Sequence, residues 1–337
     1  MNPLINPYIF GCKGISLSKQ ERDFFRETKP VGFILFTRNL RDKDQITQLV
    51  NALRQTVGYH ALVLIDQEGG RVERLTSPIW KTWIPPLEIC QKLPLGLAKE
   101  AMGIRYQLIA SELIALGIDT NCVPLGDIAF AQTHPILKNR CYGTRPEVVS
   151  EVARKVADSC LTSGIYPVLK HIPGHGSTRS DSHKTLPVCN KSLEDLKAND
   201  FQVFKELNDL SLGMTAHVLY SELDAELPAT LSPKIISLIR EEIGFKGLLM
   251  TDDLTMSALK GDMLSRAERA FNAGCDIILH GNGNMNEMMQ VAAAHHVKQP
   301  IFDTKAKQLL ESRIKPLPID VELLEERHQE IMDTLTS

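Results

Sequence analysis

The sequence predicts an α/β protein, a closed (β/α)8 TIM-type barrel in a single domain. Short apolar runs alternate with helical patterns almost from end to end, as is typical of parallel sheets covered by helices on both faces. Polar residues stand at the carboxyl ends of these runs, where barrels build their active sites. They are Asp66, Lys170, His171, His217, Asp252 and His280. An open sheet would concentrate its chemistry at one switch point instead.

Apolar runs rich in Val, Ile and Leu account for seven predicted strands. They span residues 31–36, 61–66, 118–123, 165–170, 212–216, 247–252 and 275–280. Runs this short, alternating with longer helical patterns, indicate strands rather than helices. The pattern does not resolve the eighth strand of the barrel, and we expect it between Ala216 and Gly247.

Apolar residues at helical spacing indicate the helices of the first half of the chain. Asp42 is expected to cap a helix, and further helices are expected at about 97–116 and 146–162. The buried face of the helix after Asp42 carries Ile46, Leu49, Val50 and Leu53.

Capping signals mark two helices in the second half. Ser192 and Asp195 have the spacing of a capping box. Ser232-Pro233 supplies an N-cap and a first-turn proline for a helix that ends at Gly244.

One domain over residues 1–337 is expected, because no Pro/Gly/Ser-rich linker divides the chain. Helices from about residue 302 to residue 337 are expected to pack on the outside of the barrel. The hydrophobic fraction of 43% is enough for a core of ordinary size. A formal net charge of −3 gives no electrostatic footprint for nucleic acid, so small molecules are the expected partners.

The location is expected to be cytoplasmic. The start of the chain lacks the charged and apolar regions of a secretory signal, and no apolar stretch approaches the ~20 residues of a membrane span. The seven cysteines are scattered without a CxxC pair, which predicts reduced thiols and neither a disulfide framework nor a structural zinc site. We expect a monomer without contact to membrane or nucleic acid.

Asp181 and His183 are the candidate proton-handling pair. They lie in a long loop after the strand at 165–170, and loops of this length are often lids. The carboxylate can orient the imidazole, a group that titrates near neutral pH and serves as acid and then as base.

Asp252 is the candidate nucleophile, since a strand that ends in two carboxylates points one side chain into the barrel mouth and the next away from it. The adjacent Asp253 is expected to turn towards the following helix or neighbouring backbone. The alternative is that both residues simply cap the helix that follows.

The segment that runs from Asp66 to Arg74 combines carboxylates, arginines and two glycines. Such a cluster can bind the vicinal hydroxyls of a sugar through paired hydrogen bonds. A phosphate cradle is the competing interpretation, but the P-loop lysine and the GxGxxG pattern are missing. A metal site at His171 and His175 would need a helix, which Pro173 and the neighbouring glycines forbid.

Five motifs in order resemble the family 3 glycoside hydrolases, and within them the single-domain bacterial β-N-acetylhexosaminidases of cell-wall recycling. The motifs are Asp66-Gln67-Glu68-Gly69-Gly70-Arg71-Val72, Lys170-His171-Ile172-Pro173-Gly174-His175-Gly176, Asp181-Ser182-His183, Thr215-Ala216-His217-Val218 and Asp252-Asp253-Leu254-Thr255-Met256. The resemblance covers about residues 31–282.

The resemblance implies a retaining mechanism in which Asp252 is the nucleophile and His183 the acid/base, with Asp181 as its partner. It also implies substrate binding by five residues and the release of terminal β-linked N-acetylglucosamine from anhydromuramyl peptides, without a cofactor or a metal. The binding residues are Asp66, Arg74, Arg140, Lys170 and His171. Two departures stand out: the family's Ile-Gly-x-Arg pattern is absent around Arg140, and His280 replaces an apolar residue, which predicts an extra polar contact in the pocket.

Other functions stay open on the sequence alone. A phosphorylase using the same nucleophile would give a sugar 1-phosphate when phosphate is present. A metal-dependent hydrolase would lose activity on chelation. A non-catalytic sugar-binding barrel would have no use for both Asp252 and the Asp181–His183 pair.

Overall fold

The computed structural model of the chain describes residues 5–295, 300–312 and 314–335. Its strands, in chain order, are β1 (Asn6–Gly11), β2 (Pro30–Leu35), β3 (Leu62–Ile65), β4 (Thr120–Asn121), β5 (Tyr166–Ile172), β6 (Val188–Cys189), β7 (Leu212–Thr215), β8 (Leu219–Tyr220), β9 (Leu248–Met250) and β10 (Ile278–His280). Eight of them form one parallel sheet in the order β10-β1-β2-β3-β4-β5-β7-β9.

The sheet closes on itself between its two edge strands. An isolated parallel bridge joins Met250 to Ile277, and the Thr251 amide donates to the Ile277 carbonyl at 3.0 Å. The predicted (β/α)8 barrel is therefore confirmed. The carboxyl ends of its strands meet at one mouth, which is where the predicted site residues stand.

The helices surround this barrel. They are α1 (Lys19–Thr28), α2 (Lys43–Val57), α3 (Pro86–Lys92), α4 (Leu95–Ala115), α5 (Pro135–Lys138), α6 (Pro146–Thr162), α7 (Leu193–Ala198), α8 (Asp200–Lys205), α9 (Pro233–Glu241), α10 (Met263–Ala273), α11 (Met285–Ala292), α12 (Pro300–Glu311) and α13 (Val321–Asp333). None of the helices in the described ranges combines the length and apolar character that a bilayer span requires.

The caps predicted from sequence are confirmed. Asp42, Ser192 and Ser232 each accept a hydrogen bond from the backbone amide three residues later. The helix that begins after Ser232 ends at Glu241, slightly before the predicted Gly244.

The expected position of the eighth strand was wrong. The missing barrel strand is β1 at the amino end of the chain, where Tyr8, Ile9 and Phe10 pair with β2 and β10. This run is short and starts beside Pro7, a residue that weakens a strand signal because it cannot donate to the ladder. The interval after Ala216 does contain β8, but β8 pairs only with β6, outside the barrel.

The carboxyl-terminal helices do not both lie on the outer surface as expected. Phe302, Ala306 and Leu309 of α12 join the cluster of side chains that fills the barrel interior. The hydroxyl of Tyr166, at the start of β5, donates to the Leu309 carbonyl at 3.1 Å. Helix α12 therefore closes the amino-terminal end of the barrel, opposite the site.

Helix α13 does lie outside, against α4. Arg327 of α13 donates to both carboxylate oxygens of Glu100 in α4, at 2.7 and 3.1 Å. His328 of the same helix is buried against Trp83 rather than exposed.

Replacing Phe302 by Ala is expected to destabilise the protein by about 3–5 kcal/mol, because it leaves a cavity beneath the barrel interior. Urea unfolding followed by circular dichroism measures the change. Thr304→Ala, at an exposed position of the same helix, is the control and should shift stability by less than about 0.5 kcal/mol. Equal stability of the two variants would show that α12 does not close the barrel.

Candidate active site

A cavity of about 380 Å³ opens at the carboxyl ends of the barrel strands. Its base is formed by Ile34, Met214 and Leu279, which also belong to the interior core. All eight site residues proposed from the sequence line this cavity. They are Asp66, Arg74, Arg140, Lys170, His171, Asp181, His183 and Asp252.

Asp66 at the end of β3 is held between two cations. Its Oδ1 accepts from Lys170 Nζ at 2.9 Å and its Oδ2 from Arg74 Nη2 at 3.0 Å. Burial alone would raise the pKa of the Asp66 carboxyl, but the charges of Lys170 and Arg74 outweigh it and hold that pKa below its ordinary value. The carboxylate is therefore ionised, and each of its oxygens retains a lone pair for a hydroxyl of a ligand.

Glu68 forms the second half of this charge network. Its carboxylate accepts from Arg140 Nε and Nη2, both at 2.8 Å, and lies 2.6 Å from Lys170 Nζ. Burial favours the neutral acid, yet Arg140 and Lys170 keep the pKa of Glu68 low. The expected contact of Arg140 with a sugar must therefore use N–H groups of the guanidinium that do not donate to Glu68.

The two carboxylates after β9 have different hydrogen-bond partners. Asp252 lines the cavity, and its Oδ1 accepts from the Asp253 amide at 2.8 Å. The Oδ1 of Asp253 accepts from the amides of Thr255 and Gly281, at 3.0 and 3.1 Å. Asp253 also lines the cavity, but its Oδ1 is taken up by these two backbone amides, which favours Asp252 as the carboxylate available to a ligand.

Neighbouring imidazoles keep Asp252 ionised. Burial would raise its pKa, but His217 and His171 outweigh this effect and the pKa lies below its ordinary value. Burial instead raises the pKa of Asp253. His217 itself is buried, and its Nε2 donates to the Asp253 carbonyl at 3.1 Å, so it supports the strand end.

The Asp181–His183 pair forms as predicted. Asp181 Oδ1 accepts from the His183 amide and faces its Nδ1, both at 3.0 Å. The carboxylate side chain is only 9% exposed, whereas the imidazole is 61% exposed. The pKa of Asp181 is lowered, because the hydrogen bonds from His183 outweigh burial. The ring is therefore oriented through Nδ1, which leaves Nε2 for a reacting group.

The loop that carries this pair reaches across the mouth towards Asp252. The Ala258 amide, in the loop after β9, donates to the Ser182 carbonyl at 3.2 Å. At its base, Gly174 adopts a φ of +132°, and a Cβ there would lie 2.8 Å from Asp200. Only glycine fits that turn. The Tyr220 hydroxyl donates to the Gly174 carbonyl and fixes the turn to β8.

A buried carboxylate that the sequence reasoning missed organises the His171 motif. Asp127 Oδ2 accepts from His171 Nδ1 at 2.7 Å, and its Oδ1 accepts from the His175 amide at 2.6 Å. Burial would raise the pKa of Asp127, but His171 outweighs it and the pKa is lowered. The sequence signal that could have identified Asp127 is its position as the single carboxylate in an otherwise apolar segment.

His175 has a structural role. Its Nδ1 lies 2.8 Å from the Thr178 hydroxyl. Burial, with the nearby His171, lowers the pKa of His175 to about 4, so the ring is neutral. The centroids of the His171 and His175 rings are 5.7 Å apart. Across residues 5–295, 300–312 and 314–335, no group of three or more His, Cys, Asp or Glu side chains is arranged to hold a metal.

The expected contribution of His280 to the pocket was wrong. Its side chain is fully buried beneath the cavity, and Nε2 lies 3.0 Å from Glu287 of α11. The side chain turns towards the helix layer because the strand alternates its faces. Other lining residues that the sequence reasoning missed are Phe36, Arg38 and Asn282.

This arrangement is that of a glycoside hydrolase on a (β/α)8 barrel. The profile of the glycosyl hydrolase family 3 N-terminal domain matches residues 12–312. The chain therefore belongs to glycosyl hydrolase family 3.

Relatives of similar length support this assignment. A β-hexosaminidase from Tolumonas auensis is 36% identical over 284 residues, which cover 82% of this chain and 83% of the relative. One from Psychromonas ingrahamii is 31% identical over 326 residues, 93% and 96% of the two chains. NagZ from Neisseria gonorrhoeae has a similar structure, with a TM-score of 0.84 at 26% identity over 98% of both chains. A structure of that protein in complex with N-trifluoroacetyl-D-glucosamine matches with a TM-score of 0.84 at 25% identity, over 98% of this chain and 97% of the other.

Replacing Asp127 by Asn is expected to lower kcat/KM about 10- to 100-fold, because His171 loses a charged hydrogen-bond partner. The measurement is hydrolysis of a chromogenic glycoside that the wild-type protein accepts. Asp44→Asn, at an exposed position of α2, is the matched control and should retain full activity. Unchanged kinetics in the Asp127 variant would contradict its positioning role.

Proposed function

We propose that the protein is a retaining exo-β-N-acetylglucosaminidase that acts through a covalent glycosyl-enzyme. One observation carries the proposal: an ionised carboxylate, Asp252, and the Asp181–His183 pair line the same cavity as five candidate sugar-binding residues. The β-hexosaminidase relatives and the N-trifluoroacetyl-D-glucosamine complex of the similar structure support the choice of sugar.

In the first step, Asp252 attacks the anomeric carbon and forms a covalent bond to it. The bond from that carbon to the leaving oxygen breaks, and the oxygen takes a proton from His183 Nε2. Asp181 supports the charged form of the ring, because its ionised oxygen faces Nδ1 at 3.0 Å. Protonation of the leaving group by a positioned acid contributes about 100- to 10,000-fold to such reactions.

In the second step, the neutral imidazole of His183 takes a proton from water. The water oxygen bonds to the anomeric carbon, and the Asp252 carboxylate departs. Two inversions retain the β-configuration. The imidazole here replaces the second carboxyl of ordinary retaining sites, so no partner carboxylate is needed beside Asp252.

The buried charge network would hold the terminal sugar. Asp66 can accept from vicinal hydroxyls, while Lys170 and Arg74 fix its orientation through hydrogen bonds at 2.9 and 3.0 Å. His171 and Arg140 would donate to the same ring. Since Ile34, Met214 and Leu279 close the base, the cavity is suited to a chain end rather than to the middle of a polymer.

We further propose terminal β-linked N-acetylglucosamine on anhydromuramyl peptides as the natural substrate and the cytoplasm as the location. Free thiols support a reducing compartment: all seven cysteines lie in the described ranges, and none forms a disulfide. We also propose that the active form is a monomer.

Replacing Asp252 by Ala is expected to lower turnover at least about 10,000-fold, because the nucleophile is lost. Hydrolysis of a chromogenic N-acetylglucosaminide, compared with the matching glucoside, measures both the loss and the sugar preference. In the wild-type protein, a 2-fluoro glycosyl fluoride should label the peptide that contains Asp252. The labelling rate should be constant between about pH 7 and 5, since the lowered pKa of Asp252 keeps it ionised over that range.

Asp253→Asn is the matched control for this experiment, and it should still be labelled at Asp252. An adduct on Asp253, or a labelling rate that already falls between pH 7 and 5, would overturn the assignment of the nucleophile.

Replacing His183 by Ala is expected to reduce kcat/KM about 100- to 10,000-fold for substrates with poor leaving groups, because these need protonation. A dinitrophenyl glycoside, whose leaving group needs no proton, should lose much less in the glycosylation step. Burst kinetics separate the two steps. Lys184→Ala, at an exposed position of the same loop, should behave as the wild type. An equal loss across all leaving groups would argue against the acid role.

A further inference from the structure

Arg38 lines the cavity in a fixed orientation. It lies in the short 3-10 helix Thr37–Asn39 that follows β2. Its Nε donates to the Cys12 carbonyl at 3.1 Å, and its Nη2 donates to the Gly281 carbonyl. The guanidinium carbon lies 4.9 Å from the centre of the Phe36 ring. The side chain is therefore held at the mouth by groups from three neighbouring strand ends.

Gly281, whose carbonyl accepts from Arg38, is closely packed. A Cβ on Gly281 would lie 2.4 Å from Asp253 Oδ2 and 2.8 Å from the Phe36 ring. Glycine is required there because the backbone approaches both side chains closely. The carbonyl that receives Arg38 is thus fixed in place.

Arg38 differs from the other cations of the cavity in its pairing with carboxylates. Arg74 and Lys170 pair with Asp66, and Arg140 pairs with Glu68. No carboxylate in the described part of the chain forms an ion pair with Arg38. Asp253 is near, but its Oδ1 accepts from the amides of Thr255 and Gly281.

The guanidinium of Arg38 has donors to spare. It carries five N–H groups in a planar fork that matches a carboxylate. The two carbonyls account for two of these donors, and the remaining ones have no partner among the described residues. The guanidinium is positively charged, lies beside the cavity and has unused N–H donors. These are the properties of an anion-binding site.

We propose that Arg38 binds a carboxylate of the leaving group and sets a preference for acidic glycosides. The inference rests on the proposed function: terminal N-acetylglucosamine is neutral, so an anion in the cavity must belong to the group attached to it. The depth of Arg38 fits this assignment. Lys170 at the base is 2% exposed, whereas Arg38 lies in the exposed mouth.

The test compares two substrates that differ only in charge: β-N-acetylglucosaminyl-(1→4)-N-acetylmuramic acid, with a free lactyl carboxylate, and its methyl ester. The wild-type kcat/KM is expected to be about 10- to 100-fold higher for the acid, the effect of one charge-assisted hydrogen bond. Arg38→Met should abolish this ratio, and Arg38→Lys should retain part of it. The ratio should also fall as salt is added, because the interaction is between charges near solvent.

Arg41→Met is the matched control. Arg41 belongs to the same loop but pairs with Asp42 in solvent, with its side chain 63% exposed. This variant should keep the wild-type ratio. A structural role for Arg38 predicts a different result, an equal loss for the acid and the ester.

A wild-type ratio near one, or a ratio that Arg38→Met leaves unchanged, would overturn the inference while leaving the proposed function intact. If the wild type hydrolyses neither substrate, the proposed function fails instead. Calorimetric binding of N-acetylmuramic acid and its methyl ester to the wild type and to Arg38→Met then decides the anion site independently of turnover. Equal affinity for both ligands in the wild type would overturn it.

Discussion

The ammonium group of Lys170 lies between two carboxylates at the mouth of the barrel, 2.9 Å from Asp66 and 2.6 Å from Glu68. The lysine side chain is 2% exposed, and a charge buried to that extent is tolerated only when it is paired and hydrogen-bonded. Burial lowers the pKa of Lys170, but the two carboxylates raise it above its ordinary value. One cation thus ties β3 to β5 and, through the same carboxylates, fixes Arg74 and Arg140. Removing any member would take a countercharge away from at least one of the buried charges that remain.

Buried hydrogen-bonded partners also hold the residues around Asp252 and His171, but the imidazole of His183 is mostly exposed. Asp127 holds both ends of the segment between His171 and His175, and His217 supports the backbone next to Asp252. Both side chains are buried, and they follow different strands of the barrel. His183, in contrast, is oriented only through Asp181 and exposes most of its ring. The proposed nucleophile, Asp252, stands at a strand end, and the imidazole proposed to serve both a leaving group and water stands on a loop.

Much of the fold followed from local patterns. Seven barrel strands and the caps at Asp42, Ser192 and Ser232 were predicted because apolar periodicity and N-cap chemistry are local properties. Strand β1 escaped because its run is short and begins at a proline. The position of α12 was not predicted either. An amphipathic pattern shows which face of a helix is buried, but it does not show which part of the protein that face packs against. The prediction that His280 contacts the pocket was wrong because the face to which its side chain points depends on the register of β10.

The sequence by itself determined which chemical groups stand at the strand ends, because each of them directly follows a local apolar run. It determined the Asp181–His183 pair as well, whose members are two residues apart. Only the tertiary structure decided the partnerships. Lys170 and Asp66 are 104 residues apart, Arg140 and Glu68 are 72 apart, and Asp127 and His171 are 44 apart. Closure of the barrel brings these groups together, and their charges, protonation and free donors follow from that proximity, which no local pattern encodes.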